Sequence, residues 1–179
     1  MRCALHVLLL LLGCCPMWAV AAAHQARFTE NRGQWPADVL YRARVPGGVM
    51  FVERTGFTFL LATGGPFGHH HHGPGEEHAA EPLQMHAYRM QFIGGRAHRA
   101  EPAADQGYYE NFFQGNDPAR WGSRCAVVGE VVLREVWPGI DIRIDGRTGI
   151  KYDIVVDPGG DASLVAFQSV SYTHLTLPT

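Results

Sequence analysis

The side chains best suited to chemistry in this chain are aspartates, and they cluster in its last third. Oxygen ligands of this kind bind calcium, but their spacing does not match the EF-hand loop, and adjacent strand positions point to opposite faces. Two carboxylates about 5–10 Å apart across a cleft would instead suit glycoside hydrolysis. Both interpretations are hypotheses that depend on the fold. The residues concerned are Asp141, Asp145, Asp153, Asp157 and Asp161.

A histidine run near the middle of the chain offers a second chemistry, because neutral imidazoles can bind zinc, nickel or copper. His78 and the acids Glu76 and Glu77 lie nearby. A specific metal site also needs a rigid scaffold to hold its ligands, whereas glycines flank this run as in a purification tag. We therefore expect loose metal binding and no cofactor, with a divalent-metal-binding domain as an alternative. The run consists of His69, His70, His71 and His72.

The segment 107–121, GYYENFFQGNDPARW, is dense in aromatic residues. Such rings could form a platform on which carbohydrate stacks, but among strands and turns they more often belong to the core. We favour the core for this segment, including Trp121. We expect Asn116 and Asp117 to form turns through hydrogen bonds between side chain and backbone.

The most informative segment, 131–161, contains no nucleophile paired with a base, no phosphate-binding loop and no closed metal site. We therefore expect a non-enzymatic structural or interaction module with no catalytic residue. A glycan-binding or glycoside-hydrolysing module is the alternative, because aromatic and acidic residues are both present. The residues most worth testing are Trp35, Asn116, Asp117, Trp121, Asp141, Lys151 and Asp153.

Most of these acids lie on a predicted β-hairpin. Apolar and polar residues alternate from Val131, break at a glycine-rich turn, and resume toward Asp161. In one register the apolar residues share one face of the hairpin, and residues of opposite charge face each other on the other side. A shift of two residues would place like charges opposite each other, which destabilises the hairpin by roughly a few tenths of a kcal/mol per pair. Gly146 and Gly149 provide the bend, and a bulge at Ile150 is one way to complete it. The expected pairs are Ile144 with Tyr152, Asp145 with Lys151, and Arg143 with Asp153.

Short apolar runs separated by glycine turns predict a meander of strands ahead of this hairpin. The stretch between Ile93 and Gly107 is rich in Gly, Ala and Pro and predicts a connection, while residues 64–82 predict a flexible surface loop. The predicted fold class is all-β, a mostly antiparallel β-sandwich-like domain spanning residues 24–168. Its early strands are expected within 28–35, 39–41, 49–52, 57–61 and 85–93.

The N-terminus has the pattern of a secretory signal peptide. An arginine precedes an apolar run, and Ala21-Ala22-Ala23 supplies a small-residue cleavage site before His24. We therefore expect residues 1–23 to be removed and the protein to be secreted or held at the cell surface, with no transmembrane segment after cleavage. A lipoprotein is the alternative, because Leu11-Leu12-Gly13-Cys14 approximates a lipobox.

The C-terminal residues 170–179, VSYTHLTLPT, back-translate without a mismatch into a string that resembles a transposase sequencing adapter. A genuine strand is the alternative, because Val, Tyr and Thr favour strands. We expect residues 169–179 to be an artefact, so that the β domain is incomplete and the natural protein continues past Gln168.

Charge and cysteine content narrow the function further. Without Arg2, the chain has 14 Lys and Arg against 17 Asp and Glu, which gives no sign of a basic nucleic-acid surface. Three of the four cysteines lie in the predicted signal peptide, so Cys125 has no partner for an internal disulfide. We expect Cys125 to be a buried, small apolar residue.

Several motifs together resemble a known family. FTENRGQW, the Pro46-Gly47-Gly48 turn, NFFQGNDPARW, VWPGIDI and IKYDIVVDPGGD occur in this order across nearly all of residues 24–168. They resemble the N-terminal domain of uncharacterised function in bacterial secreted proteins with SBBP-type β-propeller repeats, many of which end in PKD-like or gliding-motility-type sorting domains. The resemblance implies a β-rich domain at the front of a larger exported or surface protein. Cell-envelope components or glycans are the partners we expect, and no catalytic residue carries over.

Overall fold

The computed structural model describes residues 25–63 and 84–173. The predicted signal peptide, the lipobox-like segment, the histidine run and the predicted loop at 64–82 lie outside the described residues. So do residues 174–179 of the predicted artefact, whereas residues 169–173 lie within the last strand.

The described chain is all-β, as the sequence predicts. Every strand pairing is antiparallel, and two short 3-10 helices, Pro118–Arg120 and Ala162–Leu164, interrupt the connections. No helix in the described ranges is long and apolar enough to cross a membrane. The strands are β1 Phe28–Glu30, β2 Val39–Val45, β3 Gly48–Glu53, β4 Gly56–Thr63, β5 Gln84–Phe92, β6 Arg99–Phe112, β7 Gly122–Trp137, β8 Ile140–Asp145, β9 Lys151–Val156 and β10 Phe167–Thr173.

All ten strands belong to one curled sheet, in the order β10-β5-β4-β3-β2-β1-β7-β8-β9, with β6 paired to β7. The 16-residue strand β7 is the branch point of this sheet. One edge of β7 pairs with β6, and the opposite edge is divided between β1 and β8. Because a single sheet has to bury its own concave face, its curl produces a half-barrel that encloses the core.

The bends in β6 and β7 occur at residues with positive φ. Ala104, Arg124 and Glu135 have φ of 54°, 53° and 48°, a region that residues other than glycine rarely adopt. Interruptions in the β6–β7 and β7–β8 pairing lie beside these positions. An additional unpaired residue bends a strand and increases its twist, so these irregularities allow the long strands to follow the curl of the sheet.

Aromatic side chains close the open side of the half-barrel. The Trp137 ring lies 5.7 Å from that of Phe92 and 5.8 Å from that of Phe167, and its Nε1 donates to the Ile93 carbonyl at 3.0 Å. Phe167 on β10 also lies 6.2 Å from Tyr152 on β9, so the two ends of the sheet meet through side chains. This cluster gives the tryptophan of the VWPGIDI motif a structural role.

The predicted hairpin register is confirmed. Ile144 pairs with Tyr152, Asp145 with Lys151, and Arg143 with Asp153. The predicted bulge at Ile150 is wrong, because the β8–β9 pairing is continuous and Ile150 lies in the connection before it.

The two halves of the predicted apolar face differ in burial. The isoleucines of β8 are 0% exposed, whereas Tyr152, Ile154 and Val156 of β9 are about 40% exposed. Strand β9 is the last in the sheet order, so no described strand covers its outer side.

The connection predicted between Ile93 and Gly107 is wrong, because β6 begins at Arg99. Pro102 and the alanines beside it weaken the strand pattern, yet Pro102 pairs with Val131 of β7. Only β7 pairs with β6, and proline is tolerated in such an edge strand because its missing N–H can face away from the sheet.

The two tryptophans with the clearest contrast in burial provide a test of this core. Trp137→Ala should lower the free energy of unfolding by about 3–5 kcal/mol, because it empties a packed site. Trp121→Ala should cost about 1 kcal/mol or less, because the Trp121 ring lies on the surface. Urea unfolding followed by far-ultraviolet circular dichroism measures both. Equal losses in the two variants would contradict the assigned core.

Candidate functional site

The loop after β1 is organised by the side chain of Asn31. Its Nδ2 donates to the carbonyls of Trp35, Pro36 and Val39, and its Oδ1 accepts from the backbone N–H groups of Gly33 and Trp35. Gly33 has a φ of +114°, which glycine adopts without strain. The Asn-x-Gly spacing is the sequence signal that identifies this turn.

Trp35 is held by this loop against the convex face of the sheet. Its half-buried ring meets Phe112 edge-on at 5.2 Å and Phe51 at 6.5 Å, and the guanidinium of Arg42 lies 5.6 Å from its centroid. Trp35 therefore packs in a small second cluster outside the main core. It also fixes the position of Arg42, which sequence reasoning missed.

Gln34 joins the same loop to the start of β7. Its Nε2 donates to the Glu30 carbonyl at 2.7 Å and to Sγ of Cys125 at 3.2 Å. Cys125 is 0% exposed, which confirms the predicted buried residue, and this burial raises the pKa of its thiol. A raised pKa disfavours the thiolate, the form that a nucleophilic cysteine requires.

The core predicted for the aromatic segment 107–121 is wrong for most of its rings. Four of them are exposed, and Phe112 is only half-buried. The reason is position, because β6 is an edge strand and the following loop extends beyond the sheet. The exposed rings are Tyr108, Tyr109, Phe113 and Trp121.

Phe113 and Trp121 form an ordered pair on the surface, which we call the aromatic tip. Their rings lie 5.6 Å apart in an edge-to-face arrangement, and Nε1 of Trp121 donates to the Gly115 carbonyl at 3.2 Å. Asp117 caps the 3-10 helix between them through the N–H of Ala119, as predicted for a turn former. Asn116 is exposed and makes no side-chain hydrogen bond to the described residues.

Asp141 is buried, and both of its oxygens are occupied. Oδ2 accepts from Nη1 of Arg134 at 2.6 Å, and Oδ1 accepts from the backbone N–H of Glu135 at 2.7 Å. Glu135 is one of the two positive-φ residues in β7, so this carboxylate satisfies the backbone at a bend. Asn111 does the same at another bend, where its Oδ1 accepts from the N–H of Arg124 at 2.8 Å. The sequence contains no local signal for either bond.

Two further acids of this region, Glu130 and Asp145, are paired with cations, whereas Asp161 caps the 3-10 helix Ala162–Leu164 by accepting from the N–H of Ser163 at 2.9 Å. Glu130 contacts Arg143 at 2.7 Å and Arg147 at 3.3 Å. Arg147 donates to Asp145 and lowers the pKa of that carboxyl from 3.8 to about 2.

Asp153, another of the binding candidates, contacts Lys151 at 2.9 Å. This pair is adjacent along β9 and lies on its outward face. Its partners in β8 are those that the predicted register requires.

The arrangement therefore does not assemble the candidate residues into one site. Asp141 and Asp153 belong to an ion-paired surface of β6 to β9, whereas Trp35 belongs to the loop after β1 and Trp121 to the aromatic tip. Asp141, Asp145 and Asp153 each hold a cationic partner, which leaves none of them uncommitted for general acid–base work. Within the described residues no group of three or more His, Cys, Asp or Glu side chains could hold a metal ion.

Comparison with known proteins gives one match. Residues 28–179 match the model of a family described as a domain of unknown function, DUF7948. No curated protein and no solved structure matches the chain. The matched residues include every strand of the sheet.

Substitutions at Asp141 separate its two roles. Asp141→Asn should keep an acceptor for the Glu135 N–H and lose only the charge that pairs with Arg134, whereas Asp141→Ala loses both. We expect Asp141→Ala to cost about 1–3 kcal/mol of unfolding free energy, because it removes two hydrogen bonds made by a charged group, and Asp141→Asn to cost clearly less. Denaturant unfolding measures the difference. Equal costs would show that the bond to the bend is unimportant.

The low pKa of Asp145 gives an acid dependence. A carboxyl with a depressed folded-state pKa contributes stability that is present above its unfolded value and is lost as the pH falls through the folded value. The contribution of Asp145 should therefore disappear between about pH 4 and pH 2. Asp145→Asn should unfold with a shallower pH dependence across this window. Urea midpoints at several acidic pH values test this, and parallel curves for the two proteins would contradict it.

Proposed function

Since the chain belongs to the family described as domain of unknown function DUF7948, whose match includes the whole described sheet, we propose that it is a non-catalytic interaction module of an exported or cell-surface bacterial protein. The observation that carries this proposal is the aromatic tip, with Phe113 60% and Trp121 37% exposed. Tyr109 is exposed on β6, and the Arg124 guanidinium lies 5.5 Å from its ring centroid.

Residue types at this surface suit a binding role. Tryptophan, tyrosine and arginine are enriched among the residues that dominate binding energy at protein interfaces. The tip is also held in place before any partner arrives, by the Asp117 cap and the Trp121 bond to Gly115. Preorganisation of this kind lowers the entropy cost of association.

Export and surface location rest on the sequence. The pattern of residues 1–23 is that of a secretory signal, and the ordered motifs resemble the first domain of SBBP-type repeat proteins with sorting domains. In this proposal the domain is the front of a larger protein, and its partners are cell-envelope components.

Glycan binding is the second candidate, and the same exposed rings favour it, because aromatic side chains present an apolar face with a rigid shape. Hydrolysis has weaker support. The acids that it would use are engaged by arginine or lysine, and they lie on a different part of the sheet from the tip.

The tip can be tested with a double variant, Phe113→Ala with Trp121→Ala, in the exported and purified chain. Binding to intact bacterial cells and to a glycan array should fall at least about tenfold, which corresponds to the loss of about 1.4 kcal/mol from a binding hot spot. Val155→Ala is the control, because Val155 is an apolar residue exposed to a similar extent on β9, outside the aromatic tip and the aromatic cluster around Trp137.

The outcomes distinguish the two candidates. Cell binding that protease treatment of the cells abolishes supports a protein partner, whereas a positive array with protease-resistant cell binding supports a glycan. If a folded wild-type chain binds neither cells nor array, or if Val155→Ala weakens binding as much as the tip variant does, the proposal fails.

A further inference from the structure

A second surface feature lies apart from the aromatic tip. A groove of about 350 Å³ runs between the convex face of β1 and β2 and the second half of β6. Three arginines line it, and we call it the arginine groove. Its principal lining residues are Arg27, Arg42, Arg44, Thr29, Tyr108 and Glu110.

The sheet register places these arginines together. Arg42 and Arg44 alternate along β2 and so share one face, and Arg42 pairs across with Thr29 of β1. Continuing this register by one residue places Arg27 opposite Arg44. Like charges that oppose each other across strands destabilise a sheet unless another charge offsets them.

The groove holds too few carboxylates to offset this charge. Glu110 is the acid in its lining, and one of its oxygens accepts from the Thr29 hydroxyl at 2.9 Å. With three arginines and one glutamate, the groove retains a net charge of +2. Among the described residues, none of the arginines in the groove makes an ion pair. Six arginines elsewhere in the described ranges do form one: Arg32, Arg89, Arg99, Arg134, Arg143 and Arg147.

Two of the guanidinium groups are held in place by aromatic rings instead. Arg42 lies against Trp35, which the Asn31 loop fixes. Arg27 lies 5.8 Å from the centroid of Tyr108 and donates to its hydroxyl at 3.0 Å. Burial, and then the charge of Arg44, lower the pKa of Arg42, so the cationic form of Arg42 is disfavoured by its present surroundings. An anion in the groove would reverse that effect.

We propose that the arginine groove binds an acidic saccharide through a carboxylate or sulfate group on its sugar ring. Guanidinium groups recognise such oxyanions through paired, charge-assisted hydrogen bonds. Tyr108 and Phe112 provide aromatic surface for the ring, while Gln25 provides a polar group for its hydroxyls. The volume lies at the lower end of the range of roughly 300–1,000 Å³ for small-molecule sites, which suits one sugar unit.

The groove is independent of the aromatic tip, so the two proposals can fail separately. The probes are tetragalacturonate and its fully methyl-esterified form, which keeps the sugar and removes the charge. Calorimetric titration at constant ionic strength should show binding of the acid and at least about tenfold weaker binding of the ester, because the charge-assisted bonds are lost. Inorganic sulfate and acetate serve as competitors that lack a sugar.

Arg44→Gln is the main variant, because Arg44 is exposed and its loss should leave the Trp35 cluster intact. It should weaken tetragalacturonate binding at least about fivefold, and Arg44→Lys should weaken it less, because lysine keeps the charge but lacks the planar fork. Arg96→Gln is the control. Arg96 is also exposed, lies outside the groove, and its replacement removes the same charge.

The proposal is supported if the chain binds tetragalacturonate in preference to its ester and if Arg44→Gln weakens that binding. Arg96→Gln should keep an affinity within about twofold of wild type. Equal binding of the ester, equal effects of the two glutamine variants, or no binding of tetragalacturonate by a folded chain would overturn it. If sulfate or acetate binds the groove as tightly as tetragalacturonate does, the groove binds free anions and not saccharides, and the proposal fails. Unchanged melting temperatures of the variants exclude unfolding as the cause of a loss.

Discussion

The structure depends on one constraint, that a single sheet has to curl far enough to bury its own concave face. Strand β7 meets this constraint because it pairs with β6 along one edge and with β1 and β8 along the other. A regular strand of 16 residues would run past the core, so β7 bends where Arg124 and Glu135 adopt positive φ. The aromatic cluster around Trp137 then fills the space that the curl encloses.

Two polar residues, Asp141 and Asn111, stabilise these bends by accepting hydrogen bonds from the backbone. Asp141 satisfies the N–H of Glu135, and Asn111 satisfies that of Arg124, so each bend has its own side-chain acceptor. At each bend the backbone leaves the regular pairing of the sheet, and the side chain supplies the acceptor in place of a neighbouring strand. Charges of the hairpin region also form ion pairs, between Glu130 of β7 and Arg143 of β8, and between near neighbours along the chain at Asp145 with Arg147 and Lys151 with Asp153. These acids therefore have a structural role in the fold. The aromatic tip and the arginine groove, in contrast, are surface features without such a role.

Two surface features are not explained by stability. The aromatic tip exposes large apolar rings, and the arginine groove collects like charges, although folding alone favours neither arrangement. Both are attached to rigid parts of the sheet. Asp117 and Gly115 hold the tip, and the Asn31 loop holds Trp35 against Arg42. A scaffold that fixes exposed aromatic and basic groups in this way is preorganised for the binding proposed above.

The sequence by itself determined the all-β class, most of the strands and the register of the β8–β9 hairpin, because alternation and cross-strand charge act between residues close along the chain. The Asp117 turn and the burial of Cys125 could also be predicted. Only the tertiary structure decided that Trp121 is exposed while Trp137 is buried, that β6 includes Pro102, and that Asp141 binds a bend in β7. The first two outcomes depend on which distant strand covers a face or edge, and the third depends on where β7 bends, and no local pattern of residues encodes either.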